Sequence, residues 1–382
     1  AQACSLETMA QAEDRYVFYV EWFDAQADLL RRYMLTYYKR DKTIDMYDPK
    51  NKRPFLKRSE YPEVKLSDLY IGAIITVFAR QLKVVEYADA YTRKALETQI
   101  SRTLALVKPD AYNHIGQVLS AAHSLGLVVA RLSMVRMNPD TAGEFCGLFP
   151  HDEAHAAHAA HLQSDVVVAM ELVGEDAIEK WKSICGPRSH AEAKQYAPRS
   201  LRAIYGSGEV KNAVHCSEDA HAAAKQLDFF FERPWPTTAL LNNCTLCIVR
   251  PHALPTAGGE IVSMILAEGF EISAMRQWTM DKATAEEFLE VYKGVLPEYH
   301  EMVSELCNGA ALVMEVRQED AVASFRKLVG PHDPEVAKHL RPNTLRARFG
   351  IDRVRNAVHC TDLPEDGLLE VEYFFDILYR RA

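Results

Sequence analysis

Short apolar runs alternate with stretches of helical spacing along most of this chain. Leu104 to Val107 is a β-favouring run, Ile115 to Leu125 repeats apolar residues at helical intervals, and Val128 to Met137 alternates apolar with polar residues as a half-buried strand does. An Ala-rich helical stretch follows, then the apolar strand Val166 to Leu172 and an amphipathic helix from Asp176 to Ile184. Ala213-Val214 leads into a last helix, and Asp228-Phe-Phe-Phe231 reads as an aromatic strand. The order βαββαβ with extra helices predicts an α+β fold, a ferredoxin-like sheet with helices packed on one face. Ahead of it the pattern differs. Tyr16 to Phe23, Leu29 to Tyr38, Thr43 to Tyr47, Leu69 to Val77 and Gln81 to Ala88 are strand-like runs separated by charged turns, so the front of the chain reads as mostly β with a helix near its end.

The second half repeats the first. Leu104-Ala-Leu-Val-Lys-Pro-Asp-Ala111 recurs as Leu246-Cys-Ile-Val-Arg-Pro-His-Ala253, an offset of 142 residues. Pro198-Arg-Ser-Leu-Arg-Ala203 recurs as Pro342-Asn-Thr-Leu-Arg-Ala347, and Asn212-Ala-Val-His-Cys216 returns unchanged as Asn356-Ala-Val-His-Cys360, both at 144. A period this long marks tandem domains, since solenoid units run about 20 to 50 residues. The division is therefore a β-rich unit over 1–102, a first copy over 103–231, a linker over 232–244 interrupted by Pro234 and Pro236, and a second copy over 245–382.

Composition narrows the class. With 382 residues, 48% hydrophobic and 25% charged, the chain can bury cores, and neither disorder nor a small disulfide scaffold fits. No apolar run reaches the roughly 18 to 20 residues of a membrane helix, and the first 15 residues lack a basic segment followed by an apolar core, so a cytosolic, membrane-free protein is expected. The eight Cys sit singly apart from Cys244-Thr-Leu-Cys247, which has no second pair to complete a zinc site; reduced buried thiols are expected. The net charge of −9 is uneven: Asp14 to Arg102 holds 17 Lys and Arg against 13 Asp and Glu, a local +4 that leaves −13 for the rest. The excess lies between Lys39 and Arg58, a segment suited either to an acidic partner or to a solvated hairpin rim. The acidic repeats give nucleic-acid binding no support.

The repeated polar residues suit one chemistry. Neutral imidazole is nucleophilic near physiological pH, and a phospho-His bond is labile enough to pass its group on. Phosphoryl transfer then needs cations placed around the migrating group. A lone His is ordinarily a satisfied core residue, but here Asn, His and an Arg ten residues before the Asn recur together.

V-K-P-D near the start of a domain, Pro-x-[Ser/Thr]-Leu-Arg, and N-x-x-H followed by a small hydroxyl residue and an acid resemble the nucleoside diphosphate kinase family, across nearly all of both copies. A tandem of such domains behind a β-rich unit is similar to a ciliary branch of that family whose front unit is a DM-ten module; Tyr16-Val-Phe-Tyr-Val-Glu-Trp-Phe-Asp24 and Tyr47-Asp-Pro-Lys-Asn-Lys-Arg-Pro-Phe-Leu56 carry that likeness. The resemblance implies a place in the axoneme of a cilium or flagellum, with tubulin of the doublet microtubules and other axonemal proteins as partners. It also implies nucleoside di- and triphosphates as substrates, and Mg2+ arriving with the nucleotide rather than on protein ligands.

In the first copy the resemblance makes His215 the phosphorylated residue, sets Asn212 on the sugar hydroxyl and gives Lys108 and Arg202 to the phosphates. Three positions depart. Lys182 stands for a second Arg and loses the bidentate fork, Gln226 stands for a Glu that orients the imidazole, and no Tyr occurs between Met134 and Trp181 to supply an expected hydroxyl. In the second copy Asn356, His359, Arg326, Arg346, Thr361 and Glu370 fall at matching spacings, and Tyr292 matches the tyrosine. Its signature Lys, however, is Arg250, and His252 replaces the motif's Asp. Losing one well-placed charge stabiliser costs about 100- to 1,000-fold in rate. The expectation is thus an axonemal protein, a microtubule inner protein, built on kinase-like domains with weak or lost transfer, the alternative being an active kinase working through phospho-His. Retained groups favour His359; Lys108 favours His215. Two further patterns are expected to be inert: His151, His155, His158 and His161 as a solvated helix stripe rather than a metal site, and Gly206-Ser-Gly208 as a turn.

Overall fold

The computed structural model describes residues 14–24, 27, 29–78, 80–97, 100–149 and 154–381. They form two compact units, one drawn from residues 1–101 with Cys307–Gly309, the other from 102–306 with 310–382.

The first unit is an antiparallel sheet of β1 (Arg15–Asp24), β2 (Leu29–Tyr38), β3 (Thr43–Asp48), β4 (Arg53–Glu60), β5 (Ile74–Val77) and β6 (Arg80–Tyr87), ordered β4-β3-β2-β1-β6-β5 and followed by helix α1 (Ala90–Glu97). Period-2 alternation puts Phe18, Val20, Leu35, Ile44, Leu82 and Val84 on one face, where Leu96 of α1 joins them. Two expectations change here. Only Ile74–Val77 of the run from Leu69 is strand, because Leu69 and Ala73 donate back to Leu66 and Tyr70 and close turns through Gly72 at φ 93°. The basic segment contains a strand, β4, that no alternation announces because most of its side chains are solvated. It is an edge strand, and its charges suit that place.

The second unit begins with β7 (Ile100–Val107), α2 (Ile115–Ser124), β8 (Val128–Arg136), α3 (Pro139–Cys146), α4 (His155–Leu162) and β9 (Val166–Glu175). It continues through α5 (Ala177–Cys185), α6 (His190–Tyr196), α7 (Leu201–Tyr205), β10 (Val214–Cys216) and α8 (Ala220–Phe231). The second copy repeats the series as β11 (Cys244–Val249), α9 (Leu254–Ala267), β12 (Glu271–Trp278), α10 (Lys282–Phe288), α11 (Tyr299–Leu306) and β13 (Ala311–Arg317). It closes with α12 (Ala321–Val329), α13 (Pro334–Leu340), α14 (Leu345–Phe349), β14 (Val358–Cys360) and α15 (Gly367–Glu372). The strand order is β10-β7-β9-β8-β12-β13-β11-β14, two ferredoxin-like sheets joined edge to edge. Asp228–Phe231 is not a strand: Asp219 caps α8 by accepting from Ala222 N–H at 2.8 Å, and the helix runs on so that Phe229 and Phe230 pack against Phe145 and Trp235. Tertiary packing overrides the aromatic β-preference of those residues.

The two sheets meet where β8 pairs with β12 at Ser133 and Arg276, with Gln277 donating to the carbonyls of Val129 and Ala130 at 3.0 Å each. Above this seam α2 and α9 cross at backbone distance: a Cβ on Gly116 would lie 2.3 Å from the Gly259 carbonyl, and one on Gly259 would lie 2.4 Å from that of Gly116. One continuous core therefore runs through both copies.

Each His is set by the same backbone device. Ala213 and Ala357 sit at φ 65° and 70°, and Val214 and Val358 donate back to Asn212 and Asn356 at 2.7 and 2.9 Å, closing three-residue γ-turns. Such backbone stores about 1–3 kcal/mol per residue. Ala213→Gly should leave the thermal midpoint nearly unchanged, relief of about 1–2 kcal/mol of left-handed strain offsetting a lost buried methyl of about 0.8 kcal/mol and the added chain entropy. Ala213→Val should lower stability by about 2 kcal/mol or more, since a β-branched side chain there meets both the strain and a filled core.

Candidate functional site

Strand pairing brings the repeated residues together. β10 lies antiparallel to β7 with His215 opposite Leu106, and β14 lies antiparallel to β11 with His359 opposite Ile248, the same register in both copies. Where β7 and β11 end, Lys108 and Arg250 donate their backbone N–H to the carbonyls of Ala213 and Ala357 at 2.9 Å each. The signature cation and the γ-turn are thereby fixed to each other.

In the first copy a cleft of about 750 Å³ is lined by Lys108, Lys182, Arg188, Arg202, Asn212 and His215 among others. His215 keeps part of its surface open. Its Nε2 lies 3.1 Å from Gln226 Oε1, an oxygen that also accepts from Ser217 at 2.7 Å, while Phe149 and Phe145 pack on the ring at 4.8 and 5.7 Å between centroids. In the second copy Glu370 occupies Gln226's place, 2.9 Å from His359 Nε2 and 2.8 Å from the Thr361 hydroxyl. A carboxylate only accepts, so it fixes the tautomer with the proton on Nε2 and leaves the lone pair on Nδ1; the amide oxygen of Gln226 supports the same tautomer without the charge. Burial first, then the cations of Lys108 and Arg202, push His215 down to about 3, which keeps the ring neutral at physiological pH.

The cations differ between copies. Lys108 Nζ donates to Asn212 Oδ1 at 2.6 Å, and Arg202 reaches the carbonyls of Gly186 and Val214 at 2.7 and 3.2 Å. Lys182 lies 3.3 Å from Glu179 and 3.2 Å from the Glu218 carbonyl. In the second copy Arg250 is 1% exposed and paired to Glu305 at 3.5 Å, with its Nε and one Nη lacking a hydrogen-bond partner among the described residues. Arg326 is bonded to the Asp362 carboxylate, and Tyr292 donates to the same group at 2.6 Å. The two groups missing from the first copy are thus both held by Asp362 in the second. Arg346 repeats Arg202, bonding the carbonyls of Gly330 and Val358, and Asn356 donates to the His332 carbonyl at 3.4 Å.

Sequence reasoning named the motif's Asp and His161 separately but did not foresee their pairing, nor the part of Glu305. Asp110 accepts from the Ala213 N–H at 2.9 Å and pairs with His161 at 2.8 Å, both side chains buried. Burial alone would raise the Asp110 carboxyl, but the His161 and Ala213 hydrogen bonds hold it below its usual range. The second copy exchanges the partners: His252 stands at Asp110's position and Glu305 at that of His161, 2.6 Å apart. The compensating swap at offsets 142 and 144 is the signal that would have found the pair. His161 is therefore no part of a solvated stripe; His155 and His158 line the cleft, and His151 lies outside the described residues. Cys244 and Cys247 lie three apart on β11, hence on opposite faces, and do not converge.

Residues 101–234 and 243–378 match the family model described as nucleoside diphosphate kinase. Residues 10–98 match one described as nucleoside diphosphate kinase 7 N-terminal PH domain, where the front segments suggested a DM-ten module. The chain is 43% identical over 375 residues to nucleoside diphosphate kinase homolog 7 of Rattus norvegicus, covering 96% of this chain and 94% of that protein. Its counterpart in Mus musculus is 42% identical with the same coverage. A solved structure of Aquifex aeolicus nucleoside diphosphate kinase is 36% identical over 35% of this chain and 95% of its own, with a TM-score of 0.34.

Burial first, then Arg202, pushes Lys108 down to about 8. The ammonium is charged below that value and neutral above it. Affinity of the first cleft for a nucleoside triphosphate, read by calorimetry in the His359→Ala protein, should therefore fall as pH rises through about 8, and Lys108→Arg should remove that limb.

Proposed function

This chain belongs to the nucleoside diphosphate kinase family, and from that premise we propose that its first copy binds Mg-nucleotide and accepts the γ-phosphoryl group slowly on His215, while the second copy is chiefly a packing scaffold. The observation that carries this reading is an open cleft lined by a cation held only by neutral groups: Lys108 donates to Asn212 and to the Val210 carbonyl, whereas Arg250 is paired with the Glu305 carboxylate. The Nδ1 lone pair of His215 attacks the γ-phosphorus, the bond to the bridging oxygen breaks, and the nucleoside diphosphate leaves; the reverse step serves a second diphosphate. Lys108 and Arg202 hold charge that builds on the phosphates, and Gln226 holds the Nε2 proton. Magnesium enters with the nucleotide as part of the substrate. Transfer is slow because Gln226 brings no charge to the forming imidazolium and no tyrosine hydroxyl is supplied.

The second reading, turnover at His359, is favoured by one observation, the intact His359–Glu370 pair. Incubation with γ-labelled ATP and Mg2+ separates them. Acid-labile, base-stable label should persist in His359→Ala, vanish in His215→Ala, and rise about tenfold or more in rate in Gln226→Glu. Label lost only in His359→Ala assigns the chemistry to the second copy, and label surviving in the double variant removes histidine from it.

The cellular place we propose is the axoneme of a cilium or flagellum, on doublet microtubules and as a microtubule inner protein, with tubulin and neighbouring axonemal proteins as partners. Family membership and one surface support it. Asp48 accepts from the N–H groups of Lys50 and Asn51 at 3.0 and 2.9 Å, so a fixed turn presents exposed Lys50 and Lys52 beside Arg53 and Lys57 of β4. Arg58 contributes less, being paired to Asp41 at 2.5 Å and stacked on Tyr38 at 3.6 Å. Exposed charges act over about 8–10 Å at physiological ionic strength, so they steer while apolar contacts hold. Reversing Lys50, Lys52, Arg53 and Lys57 in the full chain should weaken co-pelleting with microtubules and its salt dependence. Unchanged pelleting would move the contact to another surface.

A further inference from the structure

Two thiols beside the first cleft are unused by phosphoryl transfer. Cys216 ends β10 next to His215, is partly exposed and lines the cleft, while Cys185 ends α5 and is fully buried. The two thiols are brought together because α5 packs on β10, where Trp181 of the helix donates to the His215 carbonyl at 3.3 Å. Arg202 sits between their segments: its guanidinium bonds the carbonyl of Gly186, the residue after Cys185, at 2.7 Å and the Cys216 sulfur at 3.5 Å. We propose that Cys216 and Cys185 form a peroxide-sensitive pair, Cys216 as the attacking thiolate and Cys185 as the resolving thiol, whose disulfide changes the charge that Arg202 offers to a bound phosphate.

The surroundings suit those roles. A thiolate needs a nearby donor or cation to be populated at neutral pH and an opening to meet its oxidant. The Cys185 hydrogen bond, then Arg202 and Lys182, hold Cys216 below the ordinary thiol range against its burial, whereas burial keeps Cys185 protonated. The second copy has half of the arrangement. Cys360 repeats Cys216 and its contact with the repeated arginine, Arg346, at 3.8 Å, but Cys185's place is taken by Val329. Cys360 faces Cys247 across β11 and β14 instead, both are buried, and burial raises both thiols. That pair should stay reduced.

The chemistry balances with a hydroperoxide as oxidant. Cys216 sulfur attacks the outer peroxide oxygen, the O–O bond breaks, and the alkoxide or hydroxide takes a proton from water, leaving a sulfenic acid. Cys185 sulfur then attacks that sulfur, the S–O bond breaks, and the departing hydroxide leaves as water with the Cys185 proton. The thiols lose two electrons and the peroxide gains them. One negative charge disappears beside Arg202, so a polyphosphate should bind more tightly to the oxidised cleft; that consequence rests on the first copy binding nucleotide, while the disulfide does not.

The test treats the full chain with hydrogen peroxide, maps disulfides by mass spectrometry without reduction, and measures affinity for a non-hydrolysable ATP analogue before and after dithiothreitol. A Cys185–Cys216 peptide is expected, with several-fold tighter binding that dithiothreitol reverses. Cys185→Ala should instead accumulate a dimedone-reactive Cys216, and Cys216→Ala should lose the oxidation altogether. Oxidation confined to Cys146 or Cys307, or a Cys216 that resists dimedone in Cys185→Ala, overturns the pair. A disulfide that forms while the analogue binds equally well in both states, or binds more weakly, overturns the effect on Arg202; no binding in either state overturns the nucleotide reading while leaving the thiol pair standing.

Discussion

The γ-turn at Asn-Ala-Val-His is the constraint on which the site depends. With Ala213 and Ala357 in left-handed backbone, the chain reverses over three residues, so that the Asn closing one side and the His two residues past the Ala both border the end of the central strand. The strain persists because it is over-determined: the Ala carbonyl accepts from the signature cation's own N–H, and the following strand is locked by pairing to β7 or β11. An ordinary extended backbone at these positions would carry Asn212 away from Lys108 and dissolve the cleft wall.

Around this fixed point the copies have diverged through charge rather than shape. In the first, the acid lies on the 3-10 turn after β7, where Asp110 holds both the γ-turn and His161, and Lys108 is left facing Asn212. In the second, the acid lies on α11, where Glu305 holds His252 and Arg250 together. Removing one partner of such a buried pair costs about 3–5 kcal/mol, so each arrangement is held once adopted and intermediate combinations are disfavoured. The place of the carboxylate goes with the partner of the cation: Asn212 and the Val210 carbonyl for Lys108, Glu305 for Arg250. Asp362 likewise partners Arg326 and Tyr292.

Neither copy can drift freely, because each is half of one core. The β8–β12 seam and the Gly116–Gly259 crossing place the two sheets in a single layer with helices sharing an interior. A copy that lost its chemistry would still be needed to cover its partner's edge strand and helix. That gives a physical reason for the second copy to keep Asn356, Arg346 and His359, each buried and bonded, while its cations are bound by neighbouring acids.

The sequence by itself determined the tandem architecture, the α+β class and the grouping of Asn, His and Arg, because a repeated motif and a hydrophobic period are local properties that survive without coordinates. It also exposed the substitutions Lys108 to Arg250 and Gln226 to Glu370. What it misread were positions where local preference met a distant partner: Asp228–Phe231 is helix because its rings fill a core made by Phe145 and Trp235, and Arg53–Glu60 is strand because β3 offers it an edge. Only the tertiary structure decided which partner each cation takes. Whether Lys108 meets Asn212 and Arg250 meets Glu305 depends on side chains that lie 104 and 55 positions away in sequence, and electrostatic pairing acts through distances in space that no local pattern records.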